Sequence, residues 1–285
     1  MHPNRLGRPQ PVLFAILFAA VLATAGCVGL ETSRSPQAQS VKMEWFGWSF
    51  FRFTSPNGKV ILTNPFITGN PDASVTLDDI TKADVIVAAD GHRDEVGDTV
   101  AIAKKTGART LSAFELRAWF VSKGVPEAQA MSRNPGARFV WEGITIRVVE
   151  SVHGSGSGLA VDSDERPVYG GPAVGFIITF ENGWTVYFTG SSAATQNMAL
   201  WGSAYKPDAM IFLMQPSGEP QDIGMAIKLV ATGNPNLKTL WPHHHRVKPP
   251  AGAPTVTDVR ALLDSMGINI PILNQERGKV YEFSK

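Results

Sequence analysis

The sequence predicts an α/β (α+β) fold in which two sheets pack together with helices outside. Three observations carry that expectation. Short strands separated by turn residues open the folded part of the chain. Ala83–Ala89 (ADVIVAA) is an almost unbroken apolar run, as a strand buried on both faces requires. The C-terminal part alternates helix with strand.

The elements follow in order. Strands are expected at Lys42–Phe46, Phe50–Phe53 and Val60–Thr63, with Pro56-Asn57-Gly58 turning between the last two. Ala83–Ala89 comes next, then helices over Asp98–Thr106, ended by Gly107, and Phe114–Lys123. Strands return at Phe139–Trp141, Ile144–Val149, Val174–Phe180 and Thr185–Phe188, where Asn182-Gly183 marks a hairpin. Helix–strand pairs complete the chain: Ala194–Tyr205 with Ala209–Leu213, Gln221–Ala231 with Thr239–Trp241, and Val256–Met266 with Ile268–Ile272. A last strand is expected at Lys279–Phe283.

Composition narrows the class. The 285 residues are 44% hydrophobic, enough to fill a core and too apolar for a disordered chain. One Cys excludes a disulfide framework, an iron–sulfur cluster and a Cys-rich zinc module. A formal charge of +1 supplies no electrostatic reason to expect a nucleic-acid partner.

The first segment reads as an address. Arg5 and Arg8 precede an apolar run, Val12–Ala25, that is short of the roughly 20 residues needed to span a bilayer. The lone Cys27 follows Thr24-Ala25-Gly26, which resembles the lipobox of bacterial lipoproteins, with Thr24 in place of the usual aliphatic residue. That resemblance implies a signal peptide over 1–26, a lipid (palmitate) on Cys27 and a location in the cell envelope. Val28 favours the outer membrane where the cell has one. Residues 27–40 lack periodicity and read as a tether, leaving one domain over 41–285.

Chemistry collects on the histidines. Beyond His2 the chain holds His92, His153, His243, His244 and His245, each group just after an expected buried strand. Polar residues at strand ends in a layered fold converge on one rim, and imidazole is the commonest metal ligand. Around His92, the stretch Asp90-Gly91-His92-Arg93-Asp94-Glu95 packs three carboxylates beside one imidazole. Their mutual repulsion is relieved by a cation among them or by Arg93, and the ion pair with Arg93 is the simpler use of that residue. His243 and His245 read as flanking His244 on a basic surface with Arg246 and Lys248. Ser191 stands in no nucleophile-elbow context.

Six ordered segments resemble the metallo-β-lactamase superfamily, and within it the small metal-dependent hydrolases related to ascorbate-phosphate lactonases. They are MEWFGWSFFRF from Met43, ILTNPFITGNP from Ile61, ADVIVAADGHRDEVGDT from Ala83, RNPGARFVWEGITIRVVESVHGSGSG from Arg133, YGGPAVGFIITFENGWTVYFTG from Tyr169, and TLWPHHH from Thr239. The resemblance implies a four-layer αβ/βα sandwich with its site along one edge. In the family a His-x-His-x-Asp-His loop, a third His, a bridging Asp and a final His hold two metal ions that activate water.

Carried over position by position, His92 and Asp94 match the second His and the Asp of the loop. His153 matches the third His and His244 the last. Asp90 replaces the first His, Glu95 the His after the Asp, Ser191 the bridging Asp, and Asn64 an Asp that supports the site. Trp48 stands where relatives often carry another His.

The implied site therefore has Asp90, His92 and His153 around one divalent ion, with Asp94, Glu95 and His244 around a weaker position. Asp94 orients water or accepts its proton. Exchanging imidazole for carboxylate moves preference from zinc toward manganese, iron or magnesium. The expected function is a membrane-anchored metal-dependent hydrolase acting on a small ester, lactone or phosphoester. The alternative is a degenerate relative that keeps the fold and serves as a binding or structural lipoprotein.

Overall fold

A computed structural model describes residues 40–156 and 169–285. The expected signal peptide, Cys27 and all of the expected tether except Ser40 lie outside the described residues. In the first sheet β1 (Val41–Trp45), β2 (Phe51–Thr54) and β3 (Val60–Thr63) form an antiparallel meander. The parallel strands β4 (Val85–Val87), β5 (Arg109–Ser112) and β6 (Ala130–Ser132) extend it on one side. In the second sheet β7 (Arg138–Trp141), β8 (Ile144–Glu150), β9 (Val174–Thr179) and β10 (Thr185–Phe188) are antiparallel, and β11 (Ala209–Leu213) and β12 (Thr239–His243) continue in parallel. The terminal strand β13 (Tyr281–Phe283) returns to pair with β1.

Three apolar cores hold these layers together. Between the sheets, Phe51, Phe53, Ile61, Val85 and Val87 meet Phe176, Ile178, Phe188, Ile211 and Trp241. On the outer face of the first sheet, Phe50, Leu62 and Ile86 pack with Ile102 of α2 (Thr99–Thr106) and with Leu116 and Phe120 of α3 (Phe114–Ser122). On the outer face of the second, Ile177, Tyr187 and Met210 meet helices α4 (Asn197–Tyr205), α5 (Pro220–Ala231) and α6 (Val256–Ser265) through Met198, Ile227 and Leu263. The unbroken run in β4 now has its reason. Successive residues point to opposite faces, and each face meets a different core. The order helix–sheet–sheet–helix is the sandwich the sequence resemblance implies. No helix among the described residues is long and apolar enough to cross a membrane.

Four expectations need correction. Strands β5 (RTLS) and β6 (AMS) were not foreseen, being too short to show a period. The four-residue helix α1 (Arg93–Val96) folds the expected acidic loop into a turn. Ile268–Ile272 forms no strand. Pro271 has no N–H to extend a ladder, and only an isolated bridge joins Ile272 to Leu240. Helix α4 begins at Asn197 rather than Ala194, whose N–H is held by Asp222 Oδ2 at 3.0 Å.

Candidate metal centre

One rim of the sandwich gathers the chemistry. Asn64 follows β3, Asp90 follows β4, His153 follows β8, Ser191 follows β10, and His243 ends β12. The sheets are tied there by Val174 N–H donating to Ala89 O at 2.8 Å. Two glycines permit the close approach. A Cβ on Gly91 would sit 2.8 Å from Ser155 O, and one on Gly190 would sit 2.4 Å from Val174 O.

Asp90, His92 and His153 meet as their positions predict, with one ligand atom from each lying within 4.8 Å of the others. The two imidazoles stand edge to face, 4.9 Å between centroids. Asp90 Oδ1 accepts from the His92 backbone N–H at 2.9 Å and lies 3.2 Å from His92 Nδ1. Its other oxygen, Oδ2, is buried and has no hydrogen-bond partner among the described residues. A carboxylate oxygen with no donor, beside two imidazoles, is a costly arrangement that a cation would relieve. The hydrogen bond to Asp90 raises His92 above the usual imidazole range against the pull of burial, and the charges of Asp90 and Asp94 add to it. Burial holds His153 below that range, as a neutral ligand needs.

In the second group the two carboxylates are bonded, while His244 Nδ1 is buried with no partner among the described residues. His244 Nε2 lies 3.3 Å from both Asp94 Oδ2 and Glu95 Oε1. Trp48 Nε1 donates to Asp94 Oδ2 at 2.9 Å, and its ring packs against His244 with centroids 4.5 Å apart. The Trp48 carbonyl in turn accepts from His244 N–H (3.1 Å) and Trp45 Nε1 (2.9 Å). Trp48 and His244 both hold positive φ, 55° and 59°, an uncommon conformation for such residues that these contacts maintain. Burial pushes the Asp94 carboxyl up, but hydrogen bonding and charge from His244, with help from Trp48, bring it below the usual carboxylate range.

Proton counting gives Glu95 a definite state. His243 is fully buried, with Nε2 3.1 Å from Gly190 O; a carbonyl only accepts, so Nε2 carries the proton. Burial, reinforced by neighbouring His244, holds His243 well below the usual imidazole range, so the ring is neutral and Nδ1 accepts. Ser49 Oγ, 3.1 Å away, spends its proton there. Ser49 Oγ is also 2.8 Å from Glu95 Oε1, and can now only accept from it. Glu95 is therefore the neutral acid, its Oε2 accepting from Asn64 Nδ2. Burial first, then the charges of Asp90 and Asp94, push Glu95 well above the usual carboxylate range. Asn64 is fixed in turn by Ala89 N–H, which donates to its Oδ1 at 3.0 Å.

Two expectations about neighbours are corrected. His243 and His245 do not flank a basic surface. His243 lies inside the chain of hydrogen bonds, and His245 stacks on Trp45 at 4.8 Å, where burial above all pushes it down to about 4. Arg93 is exposed, reaches over Gly69, and has no ion pair among the described residues. Helix α1 turns it outward while Glu95 turns into the core. Sequence reasoning missed Ser49, for which no local signal exists, and gave His243 no internal role.

Residues 59–226 match the model of the beta-lactamase superfamily domain. The chain belongs to the beta-lactamase superfamily. Its relatives there are UPF0173 metal-dependent hydrolases. That of Koribacter versatilis is 33% identical over 64% of this chain and 74% of its own. That of Thermodesulfovibrio yellowstonii is 32% identical over 72% and 78%. Among solved structures, Igni18, a metallo hydrolase from Ignicoccus hospitalis, superposes with a TM-score of 0.70 at 25% identity, covering 86% of this chain and 99% of its own. This family, together with the Asp90–His92–His153 group, implies a divalent metal ion and a small-molecule substrate.

Proposed function

We propose that this member of the superfamily is a lipid-anchored hydrolase that works with a single divalent ion at Asp90, His92 and His153, on an ester, lactone or phosphoester. The unpartnered, buried Asp90 Oδ2 carries the reading, because it is an anionic donor aimed at no proton. An ion held there would supply Lewis acidity to polarise the scissile bond and acidify water. Asp94 stays ionised, pinned by Trp48 and His244, and orients the attacking water or takes its proton. Glu95 and His243 hold the Asp94–His244 pair in place. Because Glu95 is neutral and internally bonded, and Ser191 offers no bridging carboxylate, one ion fits better than two.

Metal analysis of the purified chain tests this. About one manganese, iron or magnesium per chain supports it, with turnover lost in His92→Ala and His153→Ala. A chain that binds no metal, and hydrolyses esters only when Asp90→His, Glu95→His and Ser191→Asp are combined, is a degenerate relative instead. The anchor has its own test: Cys27→Ser should release the protein from the membrane fraction, and unchanged fractionation would remove that part of the reading.

A further inference from the structure

Beside His153 and Ser191 the rim opens into a cavity of about 220 Å³ that runs to the start of α5. Its inner wall is apolar, formed by the buried side chains of Met198, Met210 and Phe212. Its outer part is acidic: among the described residues Glu219 and Asp222 line it, and no Lys or Arg does. Those carboxylates stand at the N-terminus of α5, where the helix dipole is worth roughly half a positive charge. Two full negative charges exceed it, so without metal the outer part of the cavity is negative, and an ion at His153 would oppose that field only at the inner end. An apolar cavity of roughly 150 Å³ holds a benzene. This one therefore has room for a ring or short chain with a few further atoms.

We propose that this cavity seats the non-reacting part of the substrate, and selects a ring or short chain that is uncharged or carries an amine. Substrates whose non-reacting part bears a carboxylate or phosphate are turned away. The word substrate rests on the hydrolase reading above; the cavity's selectivity does not. Size follows from the volume, the apolar wall from the two thioethers and Phe212, and the sign from Glu219 and Asp222. The cavity also borders His153, so a group seated there leaves its reacting bond beside the candidate metal ligands.

Calorimetric titration of the full chain, its metal removed by chelator, with benzylamine, benzyl alcohol and benzoate tests this, since the three share one ring and differ in charge. Benzylamine and benzyl alcohol should bind at least about tenfold more tightly than benzoate. Ser217→Trp, at the exposed mouth, should weaken both by about tenfold or more. Glu219→Gln with Asp222→Asn should bring benzoate to within about threefold of benzylamine. Asn at 222 keeps an acceptor for Ala194 N–H, so the fold is retained. Benzoate binding as tightly as benzylamine, no binding of any probe, or a preference unchanged in the double variant would each overturn the proposal. Binding is read without turnover. A chain that takes up benzylamine but cleaves no ester therefore loses the hydrolase reading alone, and a hydrolase indifferent to these charges loses the cavity alone.

Discussion

The two halves of the rim use the same residue types and do opposite things with them. Asp90, His92 and His153 leave a buried carboxylate oxygen without a donor among the described residues. Asp94, Glu95 and His244 are roofed by Trp48, Ser49 and Asn64, and Glu95 is bonded through to His243 and Gly190. A buried anionic oxygen left open invites a cation; in the second half the carboxylates are bonded, and the atom left without a partner among the described residues is an imidazole nitrogen, His244 Nδ1. The difference also has a local cause. Donors enter the second half from the β1–β2 turn and the end of β3, and from neither of these to Asp90 Oδ2.

The largest effect expected from this contrast is on metal affinity. Asp90→Asn or His153→Ala should lower manganese affinity by more than about 100-fold, since even outer partners of ligands cost 10–100-fold. Glu95→Gln should lower it by far less. Calorimetric titration on the full chain separates the two, and equal losses would merge the halves into one site.

Next is stability without metal. Glu95→Ala strips partners from Ser49 and Asn64 inside the core and should cost about 2–4 kcal/mol in urea unfolding. Glu95→Gln accepts from Asn64 and donates to Ser49 as the neutral acid does, and should cost under about 1 kcal/mol. A Gln variant as unstable as the Ala variant would mean that Glu95 is ionised.

A third effect is read from pH. Glu95 is raised in the fold, so between its ordinary value near 4.5 and its folded value the native state holds the extra proton. Stability there falls as pH rises. Asp94 is lowered, so its contribution is present above the ordinary value near 3.8 and lost as pH falls through the folded one. His243 is lowered too, and its neutral ring is a liability once pH drops below about 6.5. In unfolding curves of the metal-free chain, Glu95→Gln should remove the downward contribution that begins near pH 4.5, while the one the raised His92 adds above about 6.5 remains. The smallest effect belongs to Ser191→Ala, expected within about 1 kcal/mol and with metal content unchanged.

Much of this was legible in the chain itself. The meander, the doubly buried β4 and the helix–strand alternation follow from periodicity, which is local. The Asp90–His92–His153 group was readable because all three follow strands whose ends share a rim. The roles within His243-His244-His245 were not readable. Three identical side chains in a row carry no signal of their own. The pairing of His243 with Leu213 at the end of β12, followed by a left-handed His244, decides which ring is buried among Ser49, Gly190 and Phe188.

By itself, then, the sequence determined the sandwich, the rim and the residue types on it, since apolar period and strand ends are properties of short stretches. The tertiary structure alone decided which acids are charged. Ser49 stands 46 residues from Glu95 and 194 from His243, and only packing brings the three together. Protonation depends on the donors and charges within a few ångströms, and nothing along the chain encodes those distances.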